Sequence, residues 1–467
     1  AAAWPGAMPV AAARSRIGPV AIAAGPFLAL QVLFLQSPAF VASSGRVSLA
    51  TAVAVVLVGD VLAIGAVRFA GTRAARSWPV VAAGGAALAT VGGLLPAVTG
   101  GGVVVLVWCA QVLAAMLAAR AFGPAVAREP SRPAGAGAAL GAGSLAFGLT
   151  VLLYQLHYDR PLPVSNRWLP AAAAVILAAA AVSAARRADP APAAPAGRPR
   201  ARLGAAALAG AVALGAVVVA GGLDRGELSL APAVRAPVAL RVVTYNPHEA
   251  VTRDGRLDPA ALAATVQRLR PDVLVVEEAG RGWPLSSSID LAEWLKRRLG
   301  MRYVWAPAAD HQFGNALFSR VPILDARVVA LPRGDGTMGR SAVIAHVGPV
   351  HGVVLTVVGT HLQNGSTRAR KSTRVAELHV LLRALGPVRR TVLAGDLNSD
   401  PGSRELRTLL AAGFTTTQPT GRCTLHTSNA HCVDWILVTP DLDQGPVRTL
   451  PVDTFDHRPL SATVRPR

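Results

Sequence analysis

Carboxylate, amide and imidazole side chains recur at the ends of apolar runs throughout the last 229 residues of the chain. Six short polar clusters carry them, in this order: Thr244-Tyr245-Asn246, Glu277-Glu278, Gly359-Thr360-His361, Gly395-Asp396-Leu397-Asn398, Asp434-Trp435 and Asp456-His457. Hard divalent cations prefer oxygen ligands, and amides and imidazoles can stabilise the charge of a phosphoryl group. The ordered set therefore predicts metal-assisted chemistry on a phosphate ester.

The carboxylate of Glu278 is the first candidate metal ligand. It ends the run Asp272-Val-Leu-Val-Val-Glu-Glu, and a carboxylate at the end of a buried strand faces a cleft where Mg²⁺ would use its oxygens. Asn246 ends an earlier apolar run and could supply an amide oxygen as a second ligand. Taken singly, each is also an ordinary strand-end or turn residue, so the prediction depends on the whole set.

Asp396 and Asn398 are candidates for handling the attacking water and the phosphoryl group. Two residues apart in an extended chain, they project to the same side. One could orient or deprotonate a water while the other holds a phosphoryl oxygen. Asp434 could orient His457 as a carboxylate–imidazole dyad, and Asp456 could lie near the metal or the water.

With these residues in place, residues 240–464 resemble the endonuclease/exonuclease/phosphatase superfamily, which includes DNase I, exonuclease III, neutral sphingomyelinases and inositol-polyphosphate 5-phosphatases. The matching motifs are Tyr245-Asn246, Pro271-Asp272…Glu278, Gly314-Asn315-Ala316-Leu317-Phe318-Ser319-Arg320, Thr360-His361-Leu362, Gly395-Asp396-Leu397-Asn398, Asp434-Trp435-Ile436-Leu437 and Asp456-His457-Arg458-Pro459.

The resemblance implies an α/β four-layer sandwich, in which two mixed sheets lie face to face between helices. It implies an enzyme that hydrolyses phosphate esters by in-line attack of water, with Mg²⁺, or alternatively Mn²⁺, as cofactor. The implied metal ligands are Asn246, Glu278 and Asp456. The implied catalytic residues are His361, Asp396, Asn398, Asp434 and His457, and the expected substrate-binding residues are Asn315, Arg340, His361 and Asn398.

Three positions depart from the family's usual pattern. Glu277 stands where the family usually has Gln, Phe455 replaces a small residue before the Asp-His pair, and His248 lies two residues past Asn246. None of them removes a predicted ligand, so we expect an active enzyme.

The first 222 residues have the composition of a membrane domain. They contain only four acidic residues, whereas residues 239–467 contain twenty. Seven apolar stretches approach or reach the roughly 20 residues that cross a bilayer: 17–41, 47–67, 78–98, 101–119, 135–156, 168–185 and 203–222. We therefore expect an all-α transmembrane bundle of about seven spans over 1–222, a linker over 223–238 and a catalytic domain over 239–467.

Arginines in the predicted loops indicate the orientation of this bundle. Thirteen arginines lie before the first span and after the second, fourth and sixth spans, whereas the other loops hold three. Positively charged loops stay in the cytoplasm, so the predicted catalytic domain lies outside the cytoplasmic membrane. The chain begins with Ala1 instead of Met, as a fragment of a longer protein would.

Two cysteines bracket a short polar loop just before Asp434. Cys423 and Cys432 have eight residues between them, which is compatible with a disulfide in an oxidising compartment. Two unrelated reduced thiols are the alternative. Cys109 lies in an apolar run, where packing is the expected role.

The net charge of +20 does not by itself indicate a nucleic-acid partner. Nearly all the basic residues are arginines in a chain rich in Ala, Gly and Pro, as in proteins of high-GC genomes. The predicted catalytic domain carries a net +8, from 28 basic and 20 acidic residues. A basic surface suits lipid headgroups and nucleic acids alike.

The preferred hypothesis is a membrane-anchored phosphodiesterase or phosphatase acting on a lipid or glycolipid phosphate at the outer face, with membrane lipids as partners. The architecture is also similar to membrane proteins that remodel GPI-anchor lipids. A membrane-tethered extracellular nuclease is one alternative.

A transporter or sensor with a ligand-binding outer domain is the other alternative, and it is motivated by Asp60 within the second predicted span. Pairing with Gln111 would instead make Asp60 a structural residue. The segment Tyr154–Arg160 is predicted on the outer side, where its aromatic residues are expected to be interfacial anchors. Contact with headgroups or with the catalytic domain is the alternative for this segment.

Overall fold

The structure is a computed structural model that describes residues 18–70, 77–126, 133–160, 162–187, 237–286, 288–419 and 431–467. Its N-terminal part is helical. The helices are α1 Gly18–Leu30, α2 Pro38–Gly45, α3 Leu49–Ala70, α4 Trp78–Leu94, α5 Gly101–Val126, α6 Pro133–Asp159 and α7 Trp168–Arg187. A π-helical segment, Gln31–Leu35, precedes the break between α1 and α2, and the Ser37 hydroxyl caps α2 by accepting from the Phe40 amide.

Four of these helices are long and apolar enough to cross a membrane: α3, α5, α6 and α7. The bent pair Ile22–Leu35 and Pro38–Gly45, with 47° between its halves, makes a fifth if it counts as one span. Helix α4 is apolar but shorter. The predicted stretch 203–222 lies outside the described residues, so a membrane protein is supported but seven spans are not confirmed.

Small residues let the helices approach each other closely. A Cβ added at Gly25 of α1 would lie 2.0 Å from the Gly143 carbonyl oxygen of α6, and one at Gly85 of α4 would lie 2.3 Å from the Ala178 Cβ of α7. Such approaches are typical of helix packing in lipid, where van der Waals contact replaces the hydrophobic effect. Gly and Ala are thus the residues on which these interfaces depend.

Asp60 of α3 is paired inside the helical region. Its Oδ1 accepts hydrogen bonds from the Gln36 side chain at 2.6 Å and from Gln111 at 2.9 Å. The carboxylate therefore joins α3 to α5 and to the end of the first bent pair. This is the structural pairing that the sequence left open.

The C-terminal part contains two mixed sheets. Its strands are β1 Leu240–Tyr245, β2 Val273–Gly280, β3 Arg302–Ala308, β4 Phe313–Ser319, β5 Ile323–Leu331, β6 Arg340–Val350, β7 Val353–His361, β8 Thr391–Asp396, β9 Asp434–Val438, β10 Leu442–Gln444, β11 Arg448–Thr449 and β12 Leu460–Pro466. The first sheet has the order β10-β12-β1-β2-β4-β3, with β11 on β12, and the second has the order β5-β6-β7-β8-β9.

Four helices cover the outer faces of the two sheets: α8 Pro259–Leu269, α9 Leu291–Leu299, α10 Arg368–Leu385 and α11 Arg404–Ala411. Helix α8 begins where Asp258-Pro259 predicts, because the Asp258 carboxylate accepts from the Ala261 amide at 2.8 Å. Between the sheets lies one buried apolar cluster that includes Val275 and Val357. The two mixed sheets fit the predicted DNase I-like fold.

Strand direction brings the predicted site residues to one edge of this sandwich. Strands β1 and β2 are parallel, as are β7 and β8, so the carboxyl ends of each pair lie together. Strands β12, β4, β6 and β9 run antiparallel to those neighbours, so their amino ends lie at the same edge. Every polar cluster of the sequence follows or precedes one of these strand ends.

The sequence led us to expect that the aromatic residues at the end of α6 are interfacial anchors. The structure instead packs them against the C-terminal part. Tyr154 is fully buried, and its hydroxyl donates to Asp310 Oδ2 at 2.9 Å. Tyr158 stacks on Trp283 with ring centroids 5.4 Å apart. Contact with the catalytic domain, the alternative reading of this segment, is what the structure shows.

Candidate active site

A carboxylate–imidazole pair lies at the centre of the polar edge. The Nδ1 atom of His457 lies 2.8 Å from Asp434 Oδ2, and both side chains are buried. The pair forms because Asp434 opens β9 while His457 lies just before β12, and both strands begin at this edge. Burial disfavours the charged ring of His457, but the carboxylates of Asp434, Asp396 and Asp456 outweigh burial and raise its pKa well above the ordinary value.

Asp396, the last residue of β8, is directly opposite Asp434 in the sheet register. Its Oδ1 accepts from the Asn398 amide at 2.8 Å, and its Oδ2 accepts from the Asn246 side chain at 3.1 Å. Oδ2 also lies 3.9 Å from His457 Nε2. Burial, and then the nearby Asp434 charge, raise the pKa of Asp396 to about 7. A carboxyl group with this pKa can exchange a proton near neutral pH.

His361 lies on the other side of Asp396, and it is buried. Its Nδ1 lies 3.1 Å from the Arg340 guanidinium, which has no acceptor, so Nδ1 must accept. The other ring nitrogen, Nε2, lies 3.0 Å from the Asn398 side-chain nitrogen and 3.5 Å from Asp396 Oδ2. Burial, Arg340 and His457 lower the pKa of His361 well below the ordinary value.

The two histidines therefore have pKa values that are shifted in opposite directions in one cleft. The neighbouring carboxylates favour the imidazolium form of His457, whereas burial and the cation of Arg340 favour the neutral form of His361. An imidazolium and a guanidinium both donate to an oxyanion, and Asp396 between the rings can accept a proton. Groups whose environments move their pKa values apart are typical of acid–base sites.

Glu278, Asn246 and Asp456 are the residues that could hold a divalent cation. Glu278 is partly exposed, lies in the left-handed region at φ 48° where a bulge interrupts β2, and has its Oε1 3.9 Å from His361 Nδ1. The Asp456 Oδ1 is buried without a hydrogen-bond partner among the described residues. A buried carboxylate oxygen without a hydrogen-bond partner fits a hard cation.

A second arrangement could also hold a cation, because ligand atoms of Asp396, Asp434 and His457 all lie within 4.8 Å of one another. This buried cluster fits the divalent-metal dependence that is typical of the family. The hydrogen bond between Asp434 and His457 already uses one ligand atom of each. Asn246, Glu278 and Asp456 therefore stay the predicted cation ligands.

Asn315 and Cys432 complete the predicted set. The Asn315 side chain donates to the Ser341 carbonyl at 3.0 Å, which joins β4 to β6 beside Arg340. Cys432 is buried two residues before Asp434. Its predicted partner, Cys423, lies outside the described residues, so the disulfide stays a prediction.

The three departures in the sequence have structural explanations. Glu277 is fully buried and accepts from the Thr244 hydroxyl at 2.6 Å, and burial raises its pKa well above the ordinary value. A protonated Glu277 can serve as the neutral side chain that this position needs. Phe455 packs edge-on against Tyr245, while His248 is exposed.

Glu377 of α10 is a supporting residue that sequence reasoning missed. It is fully buried, and its Oε2 accepts from the Gln363 amide at 2.9 Å, two residues past His361. It also lies close enough to Arg340 for their charges to interact. An acid in a charged helix looks like a solvent-exposed residue, so the sequence carries no signal for this role.

Comparisons with known proteins found one sequence profile and several solved structures that are similar to part of this chain. The sequence profile described as "Endonuclease/Exonuclease/phosphatase family" matches residues 249–456. An endonuclease/exonuclease/phosphatase from Beutenbergia cavernae is 24% identical, with a TM-score of 0.43, and the match covers 49% of this chain and 72% of that one.

Two further solved structures are similar. A Bacteroides thetaiotaomicron mannosyl-6-phosphatase is 16% identical with a TM-score of 0.39, covering 48% of this chain and 99% of that one. D. rerio TDP2 complexed with a single-strand DNA product is 19% identical with a TM-score of 0.39, covering 49% and 99%. Among curated proteins, no sequence matches the chain. Residues 249–456 match the sequence profile of the endonuclease/exonuclease/phosphatase family, and the order of the motifs in the chain is consistent with that match.

Proposed function

We propose that the protein is a membrane-embedded, divalent-metal-dependent phosphoesterase that hydrolyses a lipid or glycolipid phosphate at the outer face of the membrane. The observation that carries the proposal is the group at the edge of the sandwich. There, the His457–Asp434 pair, Asp396, His361 and Arg340 converge beside Glu278.

Each of these side chains has a separate role in hydrolysis by water. Asp396 accepts a proton from the water that attacks phosphorus, because its raised pKa makes it an effective base near neutral pH. The charged ring of His457 donates to a phosphoryl oxygen, and Asp434 keeps that ring oriented and charged. Arg340 and Asn398 hold further phosphoryl oxygens and stabilise the charge that develops on them.

Glu278 and Asp456, with Asn246, would hold the divalent cation. The cation, when bound, supplies positive charge that polarises the phosphoryl group and stabilises the leaving oxygen. In this proposal Mg²⁺ is preferred and Mn²⁺ is the alternative. Which of the three ligands the cation needs most is best tested by single substitutions with metal titration.

The helical region supports a membrane-resident substrate. Residues that pack directly on α6 and α2 include Trp283 and Phe313, which lie next to the strand ends that carry Glu278 and Asn315. A phosphate held at a membrane surface would thus meet the site without leaving the bilayer.

The test uses the purified full chain in lipid vesicles with Mg²⁺. We expect release of a phosphate-bearing or phosphate-free product from membrane lipids, and no release by a Glu278→Ala, His457→Ala double variant. Equal release by the double variant would contradict the proposal. Cleavage of single- or double-stranded DNA at a higher kcat/KM than any lipid would instead identify a tethered nuclease with the same site.

A further inference from the structure

A buried junction joins the helical region to the catalytic domain next to the proposed active site. At its centre is Asp310, in the turn between β3 and β4, which is fully buried. Its Oδ2 accepts from the Tyr154 hydroxyl of α6 at 2.9 Å and from the Gln312 side chain at 3.3 Å. Its Oδ1 accepts from the Trp283 indole at 2.8 Å and from the Gln312 amide at 3.1 Å.

The turn around Asp310 has an unfavourable backbone that the junction supports. Ala309 and His311, on either side of it, lie in the left-handed region at φ 48° and 74°. Non-glycine residues rarely adopt this conformation, so surrounding contacts must hold it. The His311 carbonyl accepts from the Ser43 hydroxyl of α2, and the Trp305 indole donates to the same hydroxyl at 2.7 Å.

Aromatic packing extends the junction to the strands that carry the site. Trp283 lies between Tyr158 of α6 and Phe313, with ring centroids 5.4 Å and 5.0 Å away. Leu285, two residues after Trp283, donates its amide to the Gln155 side chain of α6 at 2.8 Å. Helix α6 thus contacts two connections of the C-terminal part: the one between β2 and α9, and the one between β3 and β4.

Two predicted site residues lie very close to this junction along their strands. Phe313 begins β4 and pairs with Gly280 of β2. Asn315 is two residues further along β4, and Glu278 is two residues back along β2, so each is only about 7 Å along its strand from that pair. If the junction residues move, we therefore expect the backbone at Glu278 and Asn315 to move with them before the second sheet is affected.

We propose that Asp310 and Tyr154 are positioning residues for the catalytic site, so that the helical region sets the geometry of Glu278 and Asn315 as well as anchoring the domain. This inference rests on the proposed function for its kinetic readout. A hydrogen-exchange readout tests the junction independently of any activity.

The test compares Tyr154→Phe with Thr150→Val in the full chain in lipid. Both substitutions remove one hydroxyl from α6 one turn apart, but the Thr150 hydroxyl donates only to the Ala146 carbonyl of the same helix. The substrate is bis(p-nitrophenyl) phosphate, which is soluble and therefore does not report access to the membrane. For Tyr154→Phe we expect kcat to fall by about tenfold with a smaller change in KM, because a small misplacement of catalytic groups has a large effect on rate. Thr150→Val is expected to match the wild type.

A second pair of substitutions compares Ser43 of α2 with Ser48, the residue before α3. Ser43→Ala removes the hydroxyl that meets Trp305 and His311, whereas Ser48→Ala removes one that pairs with Thr51 inside the helical region. We expect only Ser43→Ala to lower kcat.

Hydrogen exchange in residues 279–280 and 309–315 is the second readout. Faster exchange in both segments for Tyr154→Phe, but not for Thr150→Val, supports the inference. This holds even if the wild type hydrolyses no phosphoester, because lack of activity would contradict only the proposed function. Two results together would overturn the positioning role in an active enzyme. One is hydrogen exchange in Tyr154→Phe that is faster only in residues 309–312 or in neither segment, and the other is an unchanged kcat. Equal losses in Tyr154→Phe and Thr150→Val would show a general effect on α6 and would also overturn it.

Discussion

His457 and His361 lie on either side of Asp396, but their pKa values are shifted in opposite directions. Asp434 accounts for the difference, because its carboxylate accepts from His457, whereas His361 faces the cation of Arg340. At the scale of single residues, the pKa of each imidazole depends on the charged side chain next to it. The clearest tests therefore change one charge while preserving the shape of the side chain.

Asp434→Asn should abolish most of the activity while the domain stays folded. The amide keeps the shape of the carboxylate but no longer stabilises the imidazolium, so we expect kcat to fall by about 10²-fold or more. Steady-state kinetics on a soluble phosphodiester with saturating Mg²⁺ measures this.

The exposed pair Asp325–His346 offers a matched control, because Asp325 Oδ2 lies 3.4 Å from His346 Nδ1 far from the polar edge. Asp325→Asn should leave kcat unchanged. A kcat for Asp434→Asn within twofold of the wild-type value would remove Asp434 from the mechanism.

The pH dependence of the rate should report Asp396. Its pKa is raised to about 7, first by burial and then by Asp434. Only the ionised form accepts a proton from water, so kcat should rise from pH 5.5 through pH 7 and level off above about pH 8. Stopped assays across this range, at fixed ionic strength and saturating metal, measure it. A rate that falls with pH over the same interval would show that the protonated carboxyl group is the active form.

At the scale of elements, close contact between β7 and β8 places His361 beside Asp396. Gly395 makes the contact possible. A Cβ at this position would lie 1.9 Å from the Thr360 carbonyl oxygen, and φ is +152°, which side-chain-bearing residues rarely adopt. The residue before the proposed base therefore needs to be glycine for reasons of both space and backbone conformation.

Gly395→Ala should separate β8 from β7, lowering both stability and activity. We expect a loss of about 2 kcal/mol or more in stability, because the neighbouring atom is backbone and cannot rotate away. Thermal unfolding and kcat of the full chain measure the two effects. Gly141→Ala in α6, where an added Cβ meets nothing within 4 Å, is the control and should lower neither quantity. Wild-type melting of Gly395→Ala would contradict the expected clash.

For the whole molecule, the arginine pattern leads to a prediction about orientation. The Arg-rich loop segments should lie in the cytoplasm and the catalytic domain on the opposite side. Asp443→Cys, on the exposed strand β10, should react with a membrane-impermeant maleimide in intact cells.

The matched control is Thr72→Cys, which lies between Arg68 and Arg76 in the sequence. It should react only after the cells are lysed. Because the native cysteines can also react, the labelling of the wild-type protein is subtracted from that of each variant. The reverse pattern would place the catalytic domain in the cytoplasm.

The sequence alone was enough to predict the chemistry-bearing residues of the proposed site and the two-sheet fold. Apolar runs that end in Asn, Glu, His or Asp are visible without coordinates, because the side chains that serve a cleft must lie at strand ends. It did not reveal β3 or β5. Both are edge strands: β3 contains Pro307, and β5 exposes much of its length, so their apolar runs are short and interrupted.

The tertiary structure decided the features that depend on contacts between distant segments. These are the opposite pKa shifts of His361 and His457, the hydrogen bond from the Gln363 amide to Glu377, and the junction between Asp310 and Tyr154, which are 156 residues apart. The sequence of each segment records which groups it carries and how they alternate. Which charge or hydroxyl a buried group meets is set only when the sheets and helices pack, and the pKa of that group follows from this contact.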